Sequence, residues 1–366
     1  MHKRNTLIWL NNINGITNKS IGNIEKYLGG IEKLWDIPLS EIDNIPNISL
    51  KAKKNLKKYR NEDFFYNILS KIEKNKVKII TSCDAEYPST LKNIYDFPRV
   101  LYVKGNIKKT DFLSVAIVGA RKATYYGKWA SEKFARELAE KGITIVSGMA
   151  IGIDTYAHKG AIAGNGRTLA VLGSGVDVIY PKKNRELYNK IQENGGIISE
   201  YPLGTKPLHY NFPLRNRIIS GLSLGVMVVE AKEKSGSLIT VEHALEQGKD
   251  VFALPGNINS IYSQGTNKLI KEGAKLVVNI NDIIEEINEL KNNKELYKID
   301  TMNISIENLS DMEKVIVENM KMGPIHADVI AYNVNLPISQ VNGILTVLEM
   351  KGIIKQMPGR IFVLNI

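Results

Sequence analysis

From Ser114 to Val278 short β-branched runs alternate with amphipathic helical stretches, and no other feature of the sequence restricts the fold as tightly. Ser114–Val118, Ile143–Val146, Thr168–Leu172, Gly225–Val229, Asp250–Leu254 and Lys275–Val278 are apolar throughout or nearly so, as strands buried on both faces must be. The stretches between them, such as Lys128–Lys141, Thr155–Ala163, Arg185–Glu193 and Ser237–Gln247, carry apolar residues at helical spacing. A helix after each strand lets the next strand run parallel, so the pattern predicts a doubly wound α/β sheet with ligand-binding loops at the carboxyl ends of its strands. Residues 78–113 are expected to add to the edge of that sheet.

The flanking segments have different periods. Residues 5–70 show short helical patterns broken at Asn14-Gly15, Gly29-Gly30, Pro38 and Pro46, which predicts a small bundle of helices. Its turns at Asn14-Gly15-Ile16 and Ile45-Pro46-Asn47-Ile48 sit where helix-hairpin-helix modules hold a phosphate, although the second lacks glycine. Lys51 to Arg60 contains six basic residues and no acidic one, suited either to a phosphate backbone or to a solvated helix face. Beyond a charged, Asn-rich linker, Ser310-Asp311-Met312-Glu313 opens the first of three helices with an N-cap and an acidic first turn. The second covers about His326–Tyr332, and the third begins after Pro337 and ends at Gly352. Two apolar strands around Pro358-Gly359 complete a winged-helix pattern. The expected domains are therefore 1–75 (helical), 76–292 (sheet), 293–304 (linker) and 305–366 (winged helix).

The loops after the strands carry the candidate chemistry. Gly119 permits a sharp turn that leaves helix N–H groups facing a phosphate, and Arg121 adds a charge-assisted contact. Ser147-Gly148 opens a loop of small residues that ends at Asp154, read as a helix N-cap, with His158 one turn later. Metal binding by this pair is not expected, since a zinc site needs about three protein ligands. Gly173-Ser174-Gly175 resembles the start of a dinucleotide fingerprint but lacks its third glycine, so no nicotinamide or flavin cofactor is expected. Lys182 and Lys183 bring charge to the mouth of the sheet. His209-Tyr210-Asn211-Phe212-Pro213-Leu214-Arg215-Asn216-Arg217 interleaves aromatics with bases, as single-strand sites do, with Phe212 able to stack on a base. Alternatively, Phe212 is core and the arginines lock the helix that follows. Ser235, Gly236 and Ser237 open a further helix as another anion seat.

Composition narrows the function. The chain of 366 residues has a formal net charge of +11, placed as +7 on residues 1–80, +5 on 81–301 and −1 on 302–366. A polyanion would thus meet the first two segments, and the winged helix would serve a protein contact or an auxiliary role. Cys83 is the only cysteine, which excludes an intrachain disulfide. The N-terminal apolar stretch is too short for a signal peptide, and no stretch approaches the ~20 apolar residues of a membrane span, so a cytoplasmic location is expected. Walker A, His-Glu-x-x-His and Gly-x-Ser-x-Gly motifs are absent from the sequence, which removes most support for nucleotide hydrolysis and common hydrolase chemistry.

Taken in order, Val118–Arg121, Ser147–Asp154 with His158, Gly173–Gly175, Tyr180-Pro181-Lys182, Phe212–Arg217, Ser235–Thr240 and Pro255-Gly256 resemble the DNA-processing protein A (DprA/Smf) family. The resemblance covers about residues 78–290. It implies an extended Rossmann-like doubly wound parallel sheet with a small helical N-terminal domain and a C-terminal winged helix. It also implies a non-catalytic homodimer that binds single-stranded DNA without base specificity, protects it and loads the RecA recombinase onto it in natural transformation or recombination. Carried over residue by residue, it places DNA contacts at Gly119, Arg121, Ser147, Gly148, Lys182, His209, Phe212, Arg215, Asn216, Arg217, Ser235, Gly236 and Ser237. His209 stands where the family often has lysine, and Ala120 where it often has serine. Related folds also cleave N-glycosidic bonds of nucleotides, and the alternative function is such an enzyme with Asp154 or Glu230 as its carboxylate.

Overall fold

A computed structural model of the chain describes residues 1–293, 309–320, 323–351, 353–357 and 359–364, in two compact units that divide after Asn293. Among the described residues of the first unit, nine strands form one sheet: β1 (Lys78–Thr81), β2 (Val100–Gly105), β3 (Ser114–Val118), β4 (Thr144–Ser147), β5 (Thr168–Val171), β6 (Gly195–Ser199), β7 (Gly225–Val228), β8 (Asp250–Ala253) and β9 (Lys275–Leu276). Their order is β1-β2-β6-β5-β4-β3-β7-β8-β9. The run from β6 to β9 is parallel throughout, and β1 and β2 close one side by antiparallel pairing. Residues 78–113 thus extend the sheet edge as expected, while β6 was not foreseen.

Alternate side chains of each strand enter different cores, the consequence of the two-residue repeat of a pleated strand. Val100 and Tyr102 of β2, Ala170 of β5 and Ile197 of β6 point to one face. Their neighbours Leu101, Val103, Leu169, Val171 and Ile198 point to the other. Helix α7 (Arg185–Asn194) covers the first face with Leu187, Tyr188 and Ile191, whereas α8 (Asn211–Leu222) and α9 (Leu238–Glu246) cover the second. Between β3 and β5 the chain forms α5 (Tyr125–Glu140) and α6 (Ile153–Ala163), and α10 (Gln264–Lys271) joins β8 to β9. Two short helices, α11 (Asn281–Ile284) and α12 (Asn288–Lys291), close the unit.

The N-terminal helices α1 (Lys3–Asn11), α2 (Asn18–Leu28), α3 (Leu50–Tyr59) and α4 (Glu62–Lys74) share the first-face core, through residues such as Leu7, Trp9, Ile24 and Leu56. Polar bonds fix them there: Arg4 pairs with Asp84 at 3.1 Å, and the buried Tyr102 hydroxyl donates to Asn11 and accepts from Asn12. Both expected turns use left-handed backbone, at Gly15 (φ 94°) and at Asn47 (φ 57°), so an asparagine replaces the missing glycine.

The second unit has its own apolar core, built on α13 (Asp311–Met320), α14 (Ala327–Val334) and α15 (Ile338–Met350) with strands β10 (Ile325–His326), β11 (Ile354–Met357) and β12 (Ile361–Leu364). At the start of α13, Ser310 N–H donates to the Glu313 carboxylate while the Ser310 hydroxyl accepts from Glu313 N–H, a reciprocal cap. Of the linker expected at 293–304, all but Asn293 lies outside the described residues, as do Gly352 and Pro358.

Candidate nucleic-acid interface

The order of the parallel strands reverses at β3, which has β4 on one side and β7 on the other. Loops leaving β3 and β7 therefore diverge and open a crevice at the carboxyl edge, where open α/β sheets bind ligands. A cavity of about 430 Å³ lies there. Among the expected site residues, Gly119, Arg121, His209, Phe212, Arg215, Asn216, Ser235, Gly236 and Ser237 line it together.

The β3 turn is tight for steric reasons. A Cβ on Gly119 would lie 2.7 Å from Ile153 Cγ1 and 2.8 Å from the Glu230 carbonyl oxygen, so no side chain fits. Ala120 N–H donates to that same carbonyl at 2.7 Å, which holds the loop against the end of β7. Thr124 then caps α5, its hydroxyl oxygen accepting from Gly127 N–H at 3.1 Å. The Arg121 guanidinium is exposed and sits 5.4 Å from the centroid of the Phe212 ring, within cation–π range.

Phe212 is half-buried. One side of its ring packs against Gly173, where an added Cβ would come within 2.8 Å of the ring, and Tyr180 lies 5.7 Å away centroid to centroid. Lys182 follows Tyr180 closely and is exposed, but it does not line the cavity itself. Five cationic side chains (Arg121, Lys122, Arg215, Lys232, Lys234) and one carboxylate (Asp154) line the space, giving it a net positive field. Near the start of α9 the Ser235 and Ser237 hydroxyls lie 2.9 Å apart, and Asn216 Nδ2 donates to the Gly236 carbonyl at 3.4 Å.

Four expected contact residues lie outside the lining. Ser147 is fully buried and its hydroxyl donates to the Ile117 carbonyl at 2.6 Å, tying β4 to β3. Gly148 lies under the cavity floor: its carbonyl accepts from Arg215 Nη1 at 2.8 Å, and a Cβ there would strike the guanidinium. Arg217 points away from the cavity and makes a bidentate pair with the buried Glu200, at 2.8 and 2.7 Å. Lys182 stands outside the lining, as described. Arg215 itself is buried, and desolvation draws its guanidinium pKa down to about 10. Its Nη1 also donates to the Val171 carbonyl, so it acts as a charge beneath the floor.

The carboxylates read as alternative catalysts are occupied. Asp154 accepts from Gly148 and Ala150 N–H groups, both at 3.2 Å. Burial pushes its carboxyl pKa up, against the opposing pull of Arg215 and these two donors. It lies in the first turn of α6, two residues past the N-cap Gly152 (φ 91°), and so braces the loop instead of capping the helix. Glu230 is buried and accepts from Thr124 N–H at 2.9 Å and from the Thr124 hydroxyl. His158 faces Thr168, whose hydroxyl lies 2.7 Å from Nδ1 and donates to the Ile145 carbonyl. Nδ1 must therefore carry the proton, and Nε2 is buried without a partner.

Lys122, Lys232, Lys234 and Tyr262 also line the cavity. Sequence reasoning gave Lys234 only as the residue opening the anion seat before α9 and left out Lys122, Lys232 and Tyr262, although Ala231-Lys232-Glu233-Lys234 follows the β7 run by one residue and the carboxyl-edge rule pointed there. Tyr262 comes from the loop after β8, and the Lys232 ammonium lies 5.1 Å from its ring. Among the described residues no helix is long and apolar enough to cross a membrane, and no cluster of three or more His, Cys, Asp or Glu side chains is arranged to hold a metal ion.

Comparison with known proteins agrees with this geometry. Residues 78–288 match the family of DNA recombination-mediator protein A, and residues 304–360 match the DprA winged helix domain. The DNA processing protein DprA of Streptococcus pneumoniae is 49% identical over 200 residues, covering 55% of this chain and 71% of its own. Protein Smf of Escherichia coli is 40% identical over 281 residues, covering 75% and 74%. The X-ray structure of the S. pneumoniae protein superposes with a TM-score of 0.69 at 38% identity, over 78% of this chain and 98% of that one. A structure of DNA processing protein A from Helicobacter pylori, described for its single-stranded DNA binding mode, gives a TM-score of 0.53 at 34% identity, over 58% and 96%. With its sheet domain matched end to end and its winged helix matched separately, the chain belongs to the DNA recombination-mediator protein A family, DprA/Smf.

Proposed function

We propose that the chain binds single-stranded DNA without base specificity across the carboxyl edge of its sheet, protects it, and loads RecA recombinase onto it as a cytoplasmic homodimer, in natural transformation or recombination. The observation that carries this reading is the half-buried Phe212 ring beneath Arg121 inside a cavity with five cations and one carboxylate. A π-face accepts any base, and the surrounding cations neutralise phosphates without reading sequence. Arg121, Lys122, Lys232 and Lys234 hold phosphates from the cavity, and Lys182 extends that line past Tyr180. Ser147, Gly148 and Arg217 act on DNA only by shaping the floor and the α8 helix, and Arg215 adds its charge from beneath the floor. The residue boundaries 1–75, 76–292, 293–304 and 305–366 are proposed as the functional domains, with the winged helix auxiliary.

Binding without catalysis is supported by the engagement of the two carboxylates: Asp154 accepts from N–H groups of its own loop, and Glu230 accepts from Thr124 of the loop after β3. The deciding experiment combines two measurements on the full chain. Mixed-sequence single strands should bind with similar affinity whatever their composition, and pre-bound strands should nucleate RecA filaments faster than bare ones. Release of free base from nucleotides at an enzymatic rate would instead establish the glycosidic alternative.

A further inference from the structure

We propose that the aromatic face at the start of α5, made by Tyr125, Tyr126 and Trp129, is a second stacking surface over which unpaired DNA bases continue after leaving the cavity. The proposal rests on the reading of the cavity as a single-strand site, and it assigns the route of the strand beyond it.

The three side chains are 90%, 49% and 56% exposed, an unusual concentration of large rings in water on one helical turn. Positions 125, 126 and 129 fall within about one quadrant and a little more of the helix circumference, so the rings form one face. The Tyr126 and Trp129 ring centroids lie 6.0 Å apart and their planes are 33° from parallel. Continuity with the cavity is direct: Lys122 lines the cavity, Thr124 caps α5, and Tyr125 is the next residue.

Charge favours a nucleic acid as the occupant over a protein. From Gly119 through Ser131 the chain contains Arg121, Lys122 and Lys128 and no carboxylate. Lys128 of α5 and Lys159 of α6 bring their ammonium groups to 5.9 and 5.2 Å from the ring of Tyr156 on α6, adding positive charge where the two helices meet. The acids nearby are few. Glu230 is buried and committed to Thr124, Glu132 is half-buried one turn further along α5, and Glu186 near Lys159 pairs with Lys190. Rings interleaved with unpaired cations are the pattern by which proteins track single strands, whereas a protein-binding patch would be depleted of lysine.

Trp129 reports on its own contact. Trp9 is buried and Trp35 is half-buried against it, with ring centroids 5.1 Å apart, so Trp129 dominates the quencher-accessible emission. The full chain would be titrated with mixed-sequence oligonucleotides of about 6 and about 20 residues, lengths that bracket the footprint of a single binding face. The longer strand should quench Trp129 and shield it from acrylamide, and the shorter one should bind in the cavity and leave it accessible. Tyr125→Ala combined with Trp129→Ala should weaken the longer strand about fivefold or more and leave the shorter unchanged, while Trp129→Phe, which keeps a π-face, should retain the affinity. Arg121→Ala should weaken both lengths. Tight binding of the longer strand with unaltered Trp129 emission, and undiminished in the double variant, would overturn the proposal and leave the aromatic face to a protein partner. Absence of binding by either length to the unmodified chain would instead overturn the cavity reading.

Discussion

Lowering the pH from 7 to 5 should destabilise the sheet unit by about 2 kcal/mol through His158 alone. The imidazole is fully buried, its Nδ1–H is held by Thr168, and Nε2 faces no donor or acceptor. Burial, with a smaller push from the Arg215 charge, draws its pKa from the ordinary 6.5 down to about 3. Because the unfolded chain takes up the proton first, this contribution to stability is complete above pH 6.5 and is lost as pH falls through the window from 6.5 to 3. The linkage relation gives about 1 kcal/mol lost at pH 6 and about 2 at pH 5. Asp154, whose pKa is raised, works in the opposite sense, so the effect is isolated by difference. Urea unfolding of the unmodified chain and of His158→Asn, which keeps a donor toward Thr168, would be compared at pH 7 and pH 5. The unmodified chain should lose about 2 kcal/mol more than the variant between the two values. Equal losses would show that His158 is protonated in the folded state and that the buried-neutral assignment is wrong.

Three further outcomes follow from the packing. Arg217→Ala should cost about 3–5 kcal/mol of folding stability by leaving the buried Glu200 carboxylate without its charge partner and with only the Asn18 amide donating to it, with no change in the salt dependence of DNA binding; a flattened salt dependence would return Arg217 to the interface. Phe212→Ala should weaken single-strand binding by about 1–3 kcal/mol whatever the sequence. Thermal unfolding should show a smaller stability loss than the ~3–5 kcal/mol of a fully buried phenylalanine; a full core-sized loss with normal binding by the folded fraction would make it a packing residue. Removal of the chain after about residue 300 should leave most single-strand affinity in place, since the winged-helix segment carries a net charge of −1; a loss matching that of Arg121→Ala in the same binding assay would contradict this.

The parallel strands were legible because continuous β-branched runs have few alternatives in a chain of this length. Strand β6 escaped because Gly195-Gly196 reads as a turn, yet it runs between β5 and β2, where a Cβ on Gly195 would overlap the Thr168 carbonyl oxygen at 1.8 Å. The loops at the site were legible from their position after strands. Their side-chain directions were not. Arg215 and Arg217 stand two positions apart on α8 and so face nearly opposite ways, one beneath the cavity and the other into Glu200. Ser147 looked like a ligand residue by its neighbours, but hydroxyls at the end of a buried strand must first satisfy the adjacent backbone, and Ile117 takes its bond. Tyr262 could not be placed by sequence, because the β8 loop reaches the cavity only once β8 pairs beside β7.

The central claim is that an electrostatic cavity with an aromatic floor holds single-stranded DNA, and the salt dependence of that binding tests it most directly. Each neutralised phosphate contributes about 0.7 to the slope of log K against log salt, so the five contacts assigned to Arg121, Lys122, Lys182, Lys232 and Lys234 give about −3.5. Arg121→Ala and Lys182→Ala should each reduce the magnitude by about 0.7 and leave the fold intact. A slope near zero in the unmodified chain, or an unchanged slope in both variants, would contradict the account.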